Sequence, residues 1–370
     1  MKNTKIYFAP SFGNRPYALI GRDHEIKSFL DGLQSYPGSK DRTTLFLAQR
    51  GYGKTVLLLE LAERAKEHDF IVASPTIVFH GMLDRIIEKI QEEGEEYIKD
   101  ADYKLSGGSV GILGFTLGLQ FERDDQEKKS FTYKLSKLCD ALEKYDRGVL
   151  ILIDEVQAAN DDLKELIIAY QELVGMGKNI AIAIAGLPTA VSSMLNDHVL
   201  TFLNRANKVY LKPLSSSEII AYYSQAFRES GIIICDELIT EAANAADGSP
   251  YMMQLIGYFI TKLAKDHCET DQEAIDKAIA LAKDTFLNDI CATTLRGLSE
   301  MDIRFLKAMT ADERYSKTGD IANRMNVKPD YAQQYKRRLS DAGIIEQPRR
   351  GIVQFAVPYL KEYLLNNNDF

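Results

Sequence analysis

Five strand-sized runs recur through the first 212 residues, with helical periodicity between them: TTLFLA (43–48), FIVAS (70–74), VLILI (149–153), IAIAIA (180–185) and KVYLK (208–212). Successive side chains of a strand point to opposite faces, so a run apolar at nearly every position must be covered on both. Such runs alternating with helices predict an α/β domain, a doubly wound parallel sheet. Each run is far shorter than the ~20 residues needed to cross a bilayer. The amino terminus, MKNTKIYFAPSFGNRPYALIG, has no apolar core and no small-residue cleavage site. Cys139, Cys235, Cys268 and Cys291 lie far apart and form no CxxC pair, as expected of reduced thiols in a cytoplasmic protein with no membrane partner.

A chain of 370 residues exceeds one ordinary domain. The sheet domain is expected over 1–212. Between its second and third strands, residues 104–125 alternate apolar side chains with glycine, which predicts an inserted hairpin that packs on the domain edge or meets a partner. After Pro213 the strand signal stops, and 213–295 reads as a helical lid whose first helix opens on serines, with Ser217 directly before Glu218. From 296 to 370 the pattern is a helix, a second helix TGDIANRM, the turn NVKP, a third helix DYAQQYKRRLSDAG and a short strand pair ending near Val357. Ile321, Ala322, Met325, Ala332, Leu339 and Ile344 are placed to form the small core of that module.

The segment AQRGYGKT (48–55) follows the first strand and opens the next helix, matching G-x-x-x-x-G-K-[ST] with Ala48 in the first glycine position. Gly51, Tyr52 and Gly53 let backbone N–H groups turn inward as an anion nest, and the helix amino terminus adds partial positive charge. Lys54 is expected on the β- and γ-phosphates of ATP, Thr55 on Mg²⁺, and Val56 follows in the helix. ILIDE (151–155) is a buried strand ending in two acids at the edge where parallel sheets bind ligands. Asp154 is expected to hold Mg²⁺, through a water, and Glu155 to polarise the attacking water. Either motif alone also fits a glycine turn or an acidic helix cap; both in this order on these elements point to ATP.

GRDHEI (21–26), AQRGYGKT, ILIDE and FLNRANKVYLKPLSSSEI (202–219) together resemble AAA+ P-loop ATPases, nearest to prokaryotic origin-recognition-initiator-like and STAND-like types. The resemblance covers nearly the whole chain and implies a sheet order of 5-1-4-3-2, a helical lid and a C-terminal winged helix. It places Leu19–Arg22 near the adenine. Arg205 falls where the family often carries an arginine acting on a neighbouring subunit's γ-phosphate in a homo-oligomer; a surface arginine or a lid salt bridge is the alternative. Two departures stand out. The fourth strand ends in AGLPT without a sensor-1 polar residue at its tip, Thr189 being nearest. The lid motif GSPYMMQ (248–254) lacks the sensor-2 arginine and looks like the G-x-P of STAND proteins, which puts Pro250 near the nucleotide. Both absences imply slow, switch-like hydrolysis.

With 53 acidic against 45 basic residues the formal net charge is −8, which excludes a protein coated all over in nucleic acid. Residues 314–350 nevertheless carry nine Lys/Arg against four acids. A basic cluster on a helix-turn-helix is the electrostatic footprint of double-stranded DNA binding. Gln333, Gln334 and Arg337 are candidates for base edges, Lys336 and Arg338 for the groove, and Arg349 and Arg350 for phosphates. The leading expectation is an ATP-dependent DNA-binding AAA+ ATPase. A nucleotide-switched signalling or defence regulator whose winged helix contacts a protein partner is the alternative, and a non-hydrolysing scaffold is a third.

Overall fold

The apolar runs assemble into one parallel sheet in a computed structural model that describes residues 7–10, 17–98, 130–156, 160–195, 197–264 and 270–367. Its strands are β1 (Thr43–Leu47), β2 (Phe70–Ile77), β3 (Gly148–Val156), β4 (Ile180–Gly186) and β5 (Asn207–Tyr210). They lie in the order β2-β3-β4-β1-β5, which is the 5-1-4-3-2 order expected, and every pairing is parallel. β1 and β4 are buried throughout and β3 everywhere except at Glu155, so each needs cover on two sides. One face packs Phe46, Leu152 and Ala183 against Leu57, Leu58 and Leu61 of helix Lys54–Lys66. The other packs Leu45, Ile151, Ile153 and Ile182 against helices Phe131–Glu143 and Asp161–Gly175. The hairpin expected at 104–125 lies outside the described residues.

The helical lid comprises Ser216–Glu229, Asp236–Ala245, Pro250–Leu263 and Gln272–Phe286. Its first helix is capped by Ser215 and not by Ser217. The Ser215 hydroxyl accepts the Glu218 N–H, and the Glu218 carboxylate takes the Ser215 N–H at 2.7 Å. This reciprocal box requires a three-residue spacing, which Ser217 does not have.

The C-terminal module is a winged helix of helices Glu300–Thr310, Thr318–Met325 and Pro329–Asp341 with β6 (Ser316–Lys317), β7 (Ile345–Arg349) and β8 (Ile352–Phe355). The wing sheet has three strands, in the order β6-β8-β7, where the sequence suggested a pair. β6 has two residues, too few to leave a periodic signal. A last helix, Leu360–Asn366, buries Leu360 and Leu364. All six expected core residues are buried.

Lid and winged helix share one continuous apolar core, to which Tyr7 and Phe8 contribute from the amino terminus. Phe8 lies so close to the lid helix that a Cβ on Gly257 would stand 2.2 Å from its ring. Gly257→Ala should therefore overpack this contact and destabilise the protein by roughly 1–3 kcal/mol. Denaturant unfolding should show a lowered midpoint; an unchanged midpoint would mean that the Phe8 strap does not carry stability.

Candidate nucleotide site

Strands that run parallel all end at one edge of the sheet, and the candidate residues gather there. The chain leaves β1 through a loop in which Gly51 and Gly53 have φ of +79° and +80°, a region that side-chain-bearing residues rarely enter. Ala48 is buried, donates its N–H to the Gly186 carbonyl and has none of the positive φ that would demand glycine. Among the described residues, no heavy atom stands within 4 Å of a Cβ built on Gly53, so the loop opens onto free space.

Lys54 begins the following helix. Its ammonium donates to the carbonyls of Ala48 and Gln49, at 2.9 Å each, and so closes the loop upon itself. Burial lowers its pKa to about 8 despite the opposing pull of Asp154 and Glu155. The neighbouring Thr55 hydroxyl donates to Asp154 Oδ2 at 2.6 Å, and the other Asp154 oxygen accepts the Glu155 N–H at 2.8 Å. Asp154 is 3% exposed. A hydroxyl and a buried carboxylate are the hard oxygen donors that suit Mg²⁺.

The sequence suggested that β3 stops at the two acids; it runs on to Val156. Ile153 pairs with Ile184 and Val156 with Gly186, so one extra residue is inserted on β3. This is a β-bulge. Strict alternation would put Glu155 on the face of Ile151 and Ile153, beneath helix 161–175. The bulge gives that buried place to Val156 and leaves Glu155 exposed, with φ of +53°.

The remaining expected residues fall around this centre. Arg22 is 3% exposed, and its guanidinium donates to the Gly21 carbonyl and, at 2.8 Å, to the Lys212 carbonyl just beyond β5; burial holds its pKa below the usual range. Leu19 and Val56 line a cavity of about 290 Å³ beside the helix. Pro250 is the first residue of its lid helix, capped by Ser249. Ser249 Oγ and Tyr251 Cβ stand 3.8 and 3.9 Å from a Cβ built on Gly51, so this helix start lies against the loop. Thr189 lies in helix Pro188–Leu195, just past β4. Arg205 is exposed at the end of the 3₁₀ helix His198–Arg205, ahead of β5.

The winged helix also reaches the loop, a contact that no local signal in the chain could foretell. Gly343, at φ +65° after helix 329–341, is so placed that a Cβ would stand 2.7 Å from Gln49 Oε1 and 2.9 Å from Leu187. The same helix packs on helix 188–195. Burial raises the Tyr52 phenol pKa, and Glu346 and Asp247 raise it further, which brings wing and lid charges to the loop from two sides.

Among the basic residues, Arg338 is engaged within the module although its side chain is 56% exposed. It pairs with the buried Asp302 and donates to Ser299 Oγ at 2.6 Å, binding helix 329–341 to helix 300–310. Arg324 is likewise engaged by Asp312, and Lys336 donates to Gln347 at 2.8 Å. Gln333, Gln334, Arg337, Arg349 and Arg350 are exposed.

Comparison with known proteins places the whole fold. A Walker-type ATPase of Pyrococcus abyssi, PABY2304, aligns with a TM-score of 0.68 at 17% identity, over 97% of this chain and 100% of that one. The Aeropyrum pernix ORC2 protein, in ADPNP–ADP complexes, aligns with a TM-score of 0.63 at 17% identity over 96% of each chain. The same protein's ADP form gives 0.58 at 16% identity, again over 96% of each. Residues 288–364 match a family described as a domain of unknown function, DUF8462. No curated protein matches the chain. Over nearly its whole length the chain thus has the fold of the Pyrococcus Walker-type ATPase and of the ORC2 protein.

The backbone at Glu155 has a measurable consequence. Left-handed backbone costs a side-chain-bearing residue ~1–2 kcal/mol, and glycine gives back some of that gain to entropy. Glu155→Gly should raise stability by roughly 0.5–1 kcal/mol in denaturant unfolding, whereas Glu155→Gln should leave it unchanged. A destabilised glycine variant would show that the bulge is unstrained.

Proposed function

We propose that this protein binds and hydrolyses ATP with magnesium and uses the nucleotide to set the position of a winged helix that binds duplex DNA. The observation that carries this reading is the seat of Gly343 on Gln49. Gln49 belongs to the phosphate loop, and its carbonyl holds Lys54. A triphosphate in the nest draws Lys54 off the Ala48 and Gln49 carbonyls, which frees the loop segment on which Gly343 rests. Nucleotide occupancy and winged-helix position are then linked through one residue.

In this reading the N–H groups from Gly51 to Val56 hold the β-phosphate, Lys54 bridges the β- and γ-phosphates, and Thr55 and Asp154 hold Mg²⁺. The metal supplies neutralisation of charge on the phosphates. Glu155, turned to solvent by the bulge, orients and deprotonates the attacking water. Leu19 and Val56 receive the base, Arg22 fixes the wall that carries Leu19, and Pro250 closes the lid over the loop. Arg205 is placed to act on the nucleotide of a neighbouring copy in a head-to-tail homo-oligomer. The ATPase name of the similar Pyrococcus protein and the nucleotides bound by the ORC2 protein support the ATP part. Arg337, Arg349 and Arg350, exposed on one module of an acidic chain, support the DNA part. A second reading, a regulator whose winged helix contacts protein, draws support from Arg338 and Arg324 being engaged within the module and from helix 329–341 resting on helix 188–195.

Calorimetry should show ATP binding that Lys54→Ala abolishes, and Glu155→Gln should bind ATP while losing turnover by ~10²-fold or more. Duplex titrated at two salt concentrations, with ATP and with ADP, should bind with nucleotide-dependent affinity. In Arg337→Ala/Arg349→Ala/Arg350→Ala the slope of log K against log salt should shrink by ~0.9 for each phosphate no longer neutralised. Duplex binding absent at low salt with ATP and magnesium would leave the protein-contact reading.

Lys54 adds a pH signature. Its protonated form binds phosphate, and in the free protein that form gives way to the neutral amine as pH rises through about 8. Affinity for ATP should hold steady below that pH and fall above it, by up to about tenfold per unit. Lys54→Arg, which stays charged, should flatten the profile in calorimetry between about pH 7 and 10.

A further inference from the structure

We infer that Glu60, held by Arg64, is the residue that selects adenine over guanine; the inference rests on the nucleotide reading above and names the base specificity of that site. The cavity of about 290 Å³ lies between the segment that precedes the core, with Tyr17, Leu19 and Asp23, and the helix that begins at Lys54. Val56, Glu60 and Arg64 follow at four-residue intervals and so share one face of that helix. Val56 adjoins Thr55 at the phosphate end, and Arg64 stands ~12 Å further along the axis. A ligand whose phosphates sit in the loop thus meets apolar walls first, at Leu19 and Val56, and a polar end at Glu60 and Arg64.

The polar end has a definite chemistry. Arg64 Nε donates to Glu60 Oε1 at 2.6 Å, and Glu60 is 27% exposed. An isolated helical pair of this kind contributes little to stability. Its effect here is to fix the orientation of a carboxylate at the cavity's edge. That carboxylate is acceptor-only, and Glu60 is among the residues that line the cavity. Adenine offers an exocyclic amine as donor on the edge where guanine offers the O6 acceptor. A fixed carboxylate bonds the first and repels the second.

Binding of ATP and GTP by calorimetry, in wild type, Glu60→Gln and Arg64→Ala, tests this. Wild type should favour ATP by roughly ten- to a hundredfold, the range of one specific base contact. Glu60→Gln can donate to O6, so its ATP preference should collapse while GTP affinity rises. Arg64→Ala should lose part of the preference, because Glu60 is no longer held. Equal affinities in wild type, a preference for GTP, or an unchanged ratio in Glu60→Gln would overturn the assignment while leaving nucleotide binding standing. Wild type that binds neither nucleotide would overturn both readings together.

Discussion

The parallel ladder of β1, β4 and β3 is the constraint on which the rest depends. Strands buried on both faces need helices on both sides, and helices that return the chain make every strand run the same way. Every strand then ends at one edge. The exit from β1 supplies the glycine loop, β3 supplies Asp154 and Glu155, β4 leads through Leu187 into helix 188–195, and β5 leads into the lid. Thr55 and Asp154, 99 residues apart, come within 2.6 Å because the ladder delivers both to that edge.

The connection from sheet to lid is held by contacts that exclude side chains. A Cβ on Gly248 would stand 2.7 Å from Pro213, and one on Gly21 2.7 Å from Leu214. The Leu214 N–H donates to the Gly248 carbonyl at 2.9 Å. Arg22 adds its bond to the Lys212 carbonyl on the same stretch. The lid is thereby fixed at its root, and the core it shares with the winged helix joins the two. The buried Asp302 is held in the same way: its carboxylate accepts the Ser299 N–H in the cap of helix 300–310 and pairs with Arg338, since a buried charge left alone is costly.

Glu155 shows exposure set against local stability. Its bulge sacrifices regular pairing and holds an acidic residue in left-handed backbone, yet it turns that carboxylate out of an apolar core to an exposed position. Strain of this kind persists where the surrounding packing over-determines it, and here Gly186 presses against the Val156 carbonyl, where a Cβ would be 3.0 Å away.

Local chemistry wrote much of this into the sequence. Runs apolar at every position required a doubly covered sheet, glycines spaced before a lysine marked a loop with positive φ at Gly51 and Gly53, and the spacing of Ile321, Ala322, Met325, Ala332 and Leu339 required a small helical core. These signals are legible because each rests on residues within a few positions of one another. What tertiary structure decided lies in pairs far apart in the chain. That Arg338 also binds Asp302, 36 residues earlier, is decided by the fold. The fold sets Gln49 beneath Gly343, and it brings Leu19 and Glu60 together as walls of one cavity. Periodicity reports which face of an element is buried, but not what lies against it, because that is set by how elements pack and not by the order of residues within them.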